Sequence, residues 1–550
     1  MTPKKIEFLC FKDWRETLLE RVGMEAWVTA YQMGGESGLF NFGIYGVFIP
    51  SEYCHKVLDH SGWDFSTNSC SPGNSTSSDG KGNPTVTYRR FQGIEGAESL
   101  VLARWFHGVR PDYLEILEEF RLYFNLFEEK SMGTFFKITD SGREEPVVRI
   151  IDGRVEVRLK EVRQFAATKR MHFSFQFDLR RFVKGNVRSI DEREREQEVW
   201  DIPSLLRYDL HINNLIGTDG LVCSSIHGKK LIPPFPIEHS GISPYDDEEE
   251  EIDFIIGTDE FGKPVSFSSG EDKLANFFGK NPGAPVYVTP MFFSKTVLTR
   301  YLADPDRYTI EEGYLRCGGL WGVRIDNDHS DCVAVMLGDL GRDMPLEERK
   351  YWRAFNMPPE GRGFSNSNFK RSFLVEDAVP QEPEHRFQAA YARIAEADPS
   401  VISWPLLLPL GKSDAHHIKT LHVPITDTQA EFDQQVLSLT RTMIDSLNVV
   451  QLKKFIVKQP DMKPIALCEE VCKTLSVEHY EKHTGFLRNL QSLRSMGAAH
   501  RKGSDYAKAV KRFDAVGKPL PMVFRGILEQ AIEFLDWVLT TFNVKLAGRS

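Results

Sequence analysis

From about residue 425 the apolar residues change from strand-like clusters to the 3.6-residue period of helices, and that switch constrains the chain more than any other feature. Asp427 or Thr428 can cap a helix to Asn448 with Phe432, Val436, Leu439, Met443 and Leu447 on one face. Pro464 to Leu475 repeats the pattern with Ile465, Leu467, Val471 and Leu475. His479 to about Arg501 carries Phe486, Leu487, Leu490 and Leu493, and Pro521 to Val544 carries Phe524, Ile527, Leu528, Ile532, Leu535 and Leu539. None of these helices can bury its stripe alone, and short connections bring them together, so residues 425–550 predict a helical bundle.

The chain ahead of the bundle reads differently. Phe40–Pro50, Val147–Ile151, Val155–Leu159, Met171–Phe177 and Tyr208–Ile212 are short runs of β-branched and aromatic residues, and Asp152-Gly153-Arg154 predicts a hairpin turn. Pro111–Phe127 reads as a helix, Cys70–Pro84 as a loop, and Trp321–Asp326 and Asp331–Leu337 as two strands joined by a polar turn. Seven acids within Asp246–Asp253 predict a linker. The expected fold class is multidomain α+β: an N-terminal domain over 1–243, expected to be a sensor, a second α+β region over 254–400, and the bundle.

Charge separates the same parts. Residues 451–550 hold 17 Lys and Arg against 10 Asp and Glu, whereas the rest holds 51 against 68. A basic end on an acidic body points to a polyanionic partner for the bundle. Eight irregularly spaced cysteines make no disulfide framework, and the charged start MTPKKIEFLCFKDW is unlike a signal peptide. The longest apolar run, Val401–Leu410, is broken by two prolines and falls short of the ~18 residues of a spanning helix. We expect a cytoplasmic protein without membrane contact.

Several chemistries leave no trace. Gly228-Lys229-Lys230 lacks the leading glycine and hydroxyl of a phosphate loop, and no G-x-S-x-G or H-E-x-x-H occurs. Cys468 and Cys472, at i and i+4, read as packing residues; His416-His417 and Asp414 lack further ligands; Asp326, Asp328 and Asp331 read as turn residues. No metal or cofactor is expected.

One segment carries chemistry: GFLRNLQSLRSMGAAHRKGS, residues 485–504. Arg494 and His500 bracket the small residues Gly497-Ala498-Ala499. Metal-free RNA cleavage needs a group that shuttles protons near neutral pH and one that stabilises charge building on the phosphate; imidazole and guanidinium are suited to these tasks. Arg488, Ser495, Arg501, Lys502, Lys508 and Arg512 would hold the RNA beside them, with Lys511 adding charge. Six residues of unbroken helix turn ~600°, leaving the pair about 120° apart, so a shared site needs a loosened helix or two subunits.

The R-x(4–6)-H spacing, the leucine-rich FLRNLQSL before it and the basic HRKG resemble the HEPN superfamily. That resemblance, over roughly 425–550, implies a metal-independent endoribonuclease acting as a homodimer through the bundle. Arg494 would bind the phosphate and His500 would act as general acid and base; Ser495 stands where the family usually has Asn, Asp or His. A long α+β portion ahead of such a bundle also resembles large bacterial proteins of anti-phage defence, which implies abortive infection, a phage-encoded trigger, and transfer RNA or another host or viral RNA as substrate. Two other readings stay open: a non-catalytic RNA-binding or dimerisation module, and an unrecognised enzyme in residues 1–400.

Overall fold

The structure is a computed structural model describing all residues except 20–22, 24, 37–39, 63–71, 91–92, 204, 216–219, 241–249, 277, 396–403, 457–461, 499–510, 514–516 and 548–550. It is a multidomain α+β chain with two compact units, residues 1–139 with 143–248, and residues 140–142 with 249–550.

The first unit is built on one antiparallel sheet. Its strands are β1 (Trp27–Glu36), β2 (Phe40–Pro50), β3 (Phe127–Glu129), β4 (Thr134–Ile138), β5 (Glu144–Ile151), β6 (Arg154–Arg158), β7 (Met171–Lys184), β8 (Glu196–Asp201), β9 (Leu206–Asn214) and β10 (Leu221–Ile232). They run in the order β8-β9-β10-β7-β2-β1-β6-β5-β4-β3, with Glu98–Ser99 paired to β2. The turn between β5 and β6 has Asp152 and Gly153 at φ 49° and 76°, the paired left-handed conformation that suits the twist of a two-residue hairpin. One core gathers around helix α1 (Leu159–Lys169), where Val162, Phe165 and Ala166 pack with Phe48 and Phe173. A second joins Leu9 and Leu18 of the two N-terminal helices, and Phe11 in the turn between them, to Phe177, Leu206 and Tyr208.

Two local expectations give way in this unit. Within the segment read as a loop, Pro72–Ser78 pairs antiparallel with Pro84–Arg90 in an exposed hairpin, because backbone pairing does not need the apolar side chains the segment lacks. Of Pro111–Phe127 only Glu118–Tyr123 is helical; Tyr113–Ile116 pairs instead with the preceding Val101–Arg104 in a hairpin, and that cross-strand pairing overrides the helical pattern.

In the second unit, β11 (Pro290–Ser294) is flanked by β12 (Cys332–Met336) and the short Asn356–Met357. Tyr308–Glu311, Tyr314–Cys317 and Trp321–Arg324 form a separate meander. The strands expected as a joined pair therefore lie in different sheets, linked only by the Asp326–Ala334 bridge. Among the helices that follow are α2 (Pro383–Ala395), α3 (His416–Lys419), α4 (Gln429–Thr440), α5 (Pro464–Leu475), α6 (Tyr480–Ala498) and α7 (Leu520–Trp537). A π-helical turn, Arg441–Asp445, continues α4. Thr428 occupies the cap position of α4 without a side-chain cap, and Asp427 accepts from the Leu520 amide instead; Glu431 reaches back to the amides of Ile425 and Thr426 at 2.7 and 2.9 Å.

The bundle core begins earlier in the chain than residue 425. Phe387, Ala390 and Ile394 of α2, with Trp404 and Leu406, share it with α4 to α7. Helix α2 lies along α7: Glu382 holds Arg525, Arg386 reaches Glu529 at 2.8 Å, and Arg393 reaches Asp536 at 3.0 Å. Each pair is 143 residues apart, and that constant offset means the two helices run parallel.

Candidate functional site in the helical bundle

Helix α6 buries Phe486, Leu487, Leu490 and Leu493, and Arg494 follows at the edge of this stripe with 23% of its side chain exposed. Its Nη1 donates to both carboxylate oxygens of Asp445, at 3.0 and 3.1 Å. Asp445 closes the π turn after α4, and Arg441 at the start of that turn places Nε 3.5 Å from the same carboxylate. A π turn inserts an extra residue into the helical ladder and re-aims the side chains that follow it. Here Thr442, Met443 and Ile444 stay in the core while Asp445 meets the neighbouring helix.

Helix α3 packs on the same stretch. The His417 ring bonds through Nδ1 to Ser438 Oγ at 3.1 Å, and the His416 and His417 rings lie 4.0 Å apart. Burial, then the charges of His416 and Arg441, hold His417 below the ordinary imidazole range, so it is neutral near pH 7. The region joins two guanidiniums, a shared carboxylate and a neutral imidazole.

The remaining sequence-derived site residues are placed as follows. Ser495 is exposed, and its hydroxyl donates to the Gln491 carbonyl at 2.9 Å. Arg488 is ion-paired with Glu469 of α5. Arg512 lies 3.5 Å from Asn489 Oδ1. His500, Arg501, Lys502 and Lys508 lie outside the described residues, and α6 is described as far as Ala498. The structure thus ties Arg488 and Arg494 to facing helices. Sequence reasoning missed Asp445 and Arg441; the one available signal was a lone carboxylate inside an otherwise apolar helical run, four residues after an arginine.

Other residues weighed from the sequence have structural tasks. Asp326 accepts from Ser365 N at 2.6 Å, Ser365 Oγ at 2.7 Å and His329 Nε2 at 3.1 Å. Asp328 accepts from the amides of Gln381 and Glu382 just ahead of α2, at 2.8 and 2.7 Å. Both are buried; Asp328 anchors the start of α2, and Asp326 ties the turn to Ser365 and His329. Cys468 and Cys472 are buried in the bundle, where their mutual hydrogen bond and then burial push the Cys472 thiol far up. Lys229 is fully buried in β10. Among the described residues, no group of three or more His, Cys, Asp or Glu is placed to hold a metal ion, and no helix is long and apolar enough to cross a membrane.

Compared with protein-family models, curated proteins and solved structures, the chain matches none.

Proposed function

We propose that this protein is a latent, metal-independent endoribonuclease of the HEPN type, with Arg494 and His500 as the cutting pair. The observation that carries the reading is the setting of Arg494, a half-buried guanidinium on a bundle helix, held in place by one displaceable carboxylate. An arginine with that anchorage can exchange Asp445 for a phosphodiester without leaving its helix, because both present oxygens to the same donors.

His500 takes the proton of the 2′-hydroxyl as that oxygen attacks phosphorus and returns a proton to the departing 5′-oxygen. Arg494 meets the charge on the non-bridging oxygens. The products are a 2′,3′-cyclic phosphate and a 5′-hydroxyl end. Two bundles face each other in a homodimer, so that the Arg and His can converge across subunits. The α+β portion keeps the bundle silent until a phage-encoded trigger arrives, which places the protein in the cytoplasm as an effector of abortive infection.

A second reading, an RNA-binding or dimerisation module without cleavage, is favoured by two observations. The Ser495 hydroxyl is engaged with its own helix, and Asp445 neutralises Arg494. Incubating the full chain with total RNA and transfer RNA, with and without EDTA, followed by end-group analysis, separates the two. Cyclic-phosphate ends in both conditions support the nuclease. RNA bound but left intact in every condition, including with lysate of phage-infected cells added as a source of trigger, establishes the module, and cleavage stopped by EDTA refutes the mechanism.

A further inference from the structure

We propose that the second unit carries a self-association surface, the loop over residues 368–380, and that its partner is the same loop of a second copy of this chain. Both ends of the loop are fixed on one buried carboxylate. Ser367 Oγ donates to Asp328 at the start, and the Gln381 and Glu382 amides donate to it at 2.8 and 2.7 Å at the end. Loops whose ends meet in this way are compact Ω-type excursions, a class that often carries function.

The loop is ordered within itself and apolar outside. The helical turn Asn366–Phe369 runs into a π turn, Lys370–Leu374, whose first carbonyl accepts from the Glu376 amide at 3.1 Å. Phe369 and Phe373 stack with ring centroids 5.3 Å apart, and Phe364 meets Phe373 at 5.9 Å. Arg371 ties the loop down by donating to Glu312 at 2.5 Å and to the Ala378 carbonyl. Yet Phe369, Phe373 and Leu374 stay 40–50% exposed, and Val375 and Val379 are 91% and 80% exposed. Val375 also has φ 55° and ψ 38°, a left-handed conformation that β-branched residues rarely adopt. Singly exposed apolar residues are ordinary, but a pinned, strained loop with five of them in one short stretch marks an interaction site.

Charge around the tip selects the partner. Lys370 precedes Phe373-Leu374-Val375, and Glu376 and Asp377 follow; all three are without an ion pair among the described residues. A two-fold axis through Leu374 lays the apolar tips on each other and sets the basic side of each copy beside the acidic side of the other. Such an isologous contact is self-complementary, because every pairing is made twice. The loop lies outside the bundle helices, so this contact adds to the bundle homodimer proposed above and would link such dimers into tetramers or longer chains.

Sedimentation of the full chain at low salt tests this. Over ~1–200 µM the mass should double in a step centred at roughly 10–100 µM, since a small apolar tip belongs to the weak end of specific interfaces. Leu374→Asp should abolish the step, because the contact would bury two unpaired carboxylates, and should leave the melting temperature unchanged, because Leu374 is half-exposed. Lys370→Glu, and separately Glu376→Lys with Asp377→Lys, should each weaken the step at least about tenfold, and mixing the two variants should restore it, since the mixed pair has opposite charges on both sides of the axis. Failure of the bundle homodimer would lower the starting mass and leave the step in place. A mass that does not rise over the range, a step that survives Leu374→Asp, or variants that do not recover on mixing overturns the proposal.

Discussion

Replacing Asp445 with Asn removes the counter-ion of Arg494 while keeping the shape of the turn. The stability cost is small: with side chains 23% and 35% exposed, the pair belongs to the partly solvated class, worth a few tenths to about 1 kcal/mol. The effect on ligand binding is larger. A phosphate seated on Arg494 would stand about 5 Å from the carboxylate, and at an effective dielectric of roughly 40 their repulsion is about 1.7 kcal/mol. Screening at physiological salt, with a Debye length of about 8 Å, roughly halves it, so affinity should rise between about fivefold and fifteenfold. Fluorescence anisotropy with a labelled single-stranded RNA measures this, and the gain should shrink as salt increases. Arg494→Ala should weaken binding in the same assay, and Asp445→Asn added to it should bring little further change, because the two residues share one interaction. If Asp445→Asn binds RNA no better than the unaltered chain at low salt while its melting temperature is preserved, Asp445 is not a lock on a phosphate site.

Three further outcomes are expected. His500→Ala should abolish cleavage, a loss of at least ~10²-fold, and Arg494→Lys should also fail since an ammonium lacks the guanidinium fork; gel assays on transfer RNA read both, and full cleavage by His500→Ala would sink the mechanism. Glu431→Gln should cost about 3 kcal/mol near pH 7: burial works against the ionised carboxyl, but His422, Thr426 and the amides of Ile425 and Thr426 bring it down to about 2, so this stability is complete above pH ~4.5 and drains as pH falls toward 2. Urea unfolding at pH 7, 4 and 3 should therefore show the gap between Glu431→Gln and the parent closing with acid, and a constant gap would contradict the assignment. Phe387→Ala, at a fully buried position of α2, should destabilise the bundle by about 3–5 kcal/mol, and a fragment starting at 380 should outlast one starting at 425 in limited proteolysis; equal lifetimes would mean α2 is dispensable.

Much of the bundle was legible because its signals are local. Pro464 at the first turn and a left-handed Ser476 after Leu475 bound α5 at the residues its period predicts. Strand β2 and the β5–β6 hairpin were legible for the same reason: aromatic and β-branched runs, and a turn that needs positive φ at Asp152-Gly153. The hairpin at 72–90 was not, since its strands are made of turn-forming residues held by pairing alone. Nor was the membership of α2 in the bundle, whose partner α7 lies 143 residues further along.

The candidate site divides along the same line. The residue types and spacing of Arg494 and His500, the basic end and the leucine stripe of α6 are properties of the chain itself, and the proposed chemistry rests on them before any folding is considered. Arg494's pairing with Asp445, the π turn that delivers that carboxylate, and the closure of the 368–380 loop on Asp328 depend on distance in space. Periodicity reports which face of a helix is apolar; it carries no information on which helix that face will meet. Charge neutralisation, burial and cavities arise only at those meetings, so they belong to the tertiary structure.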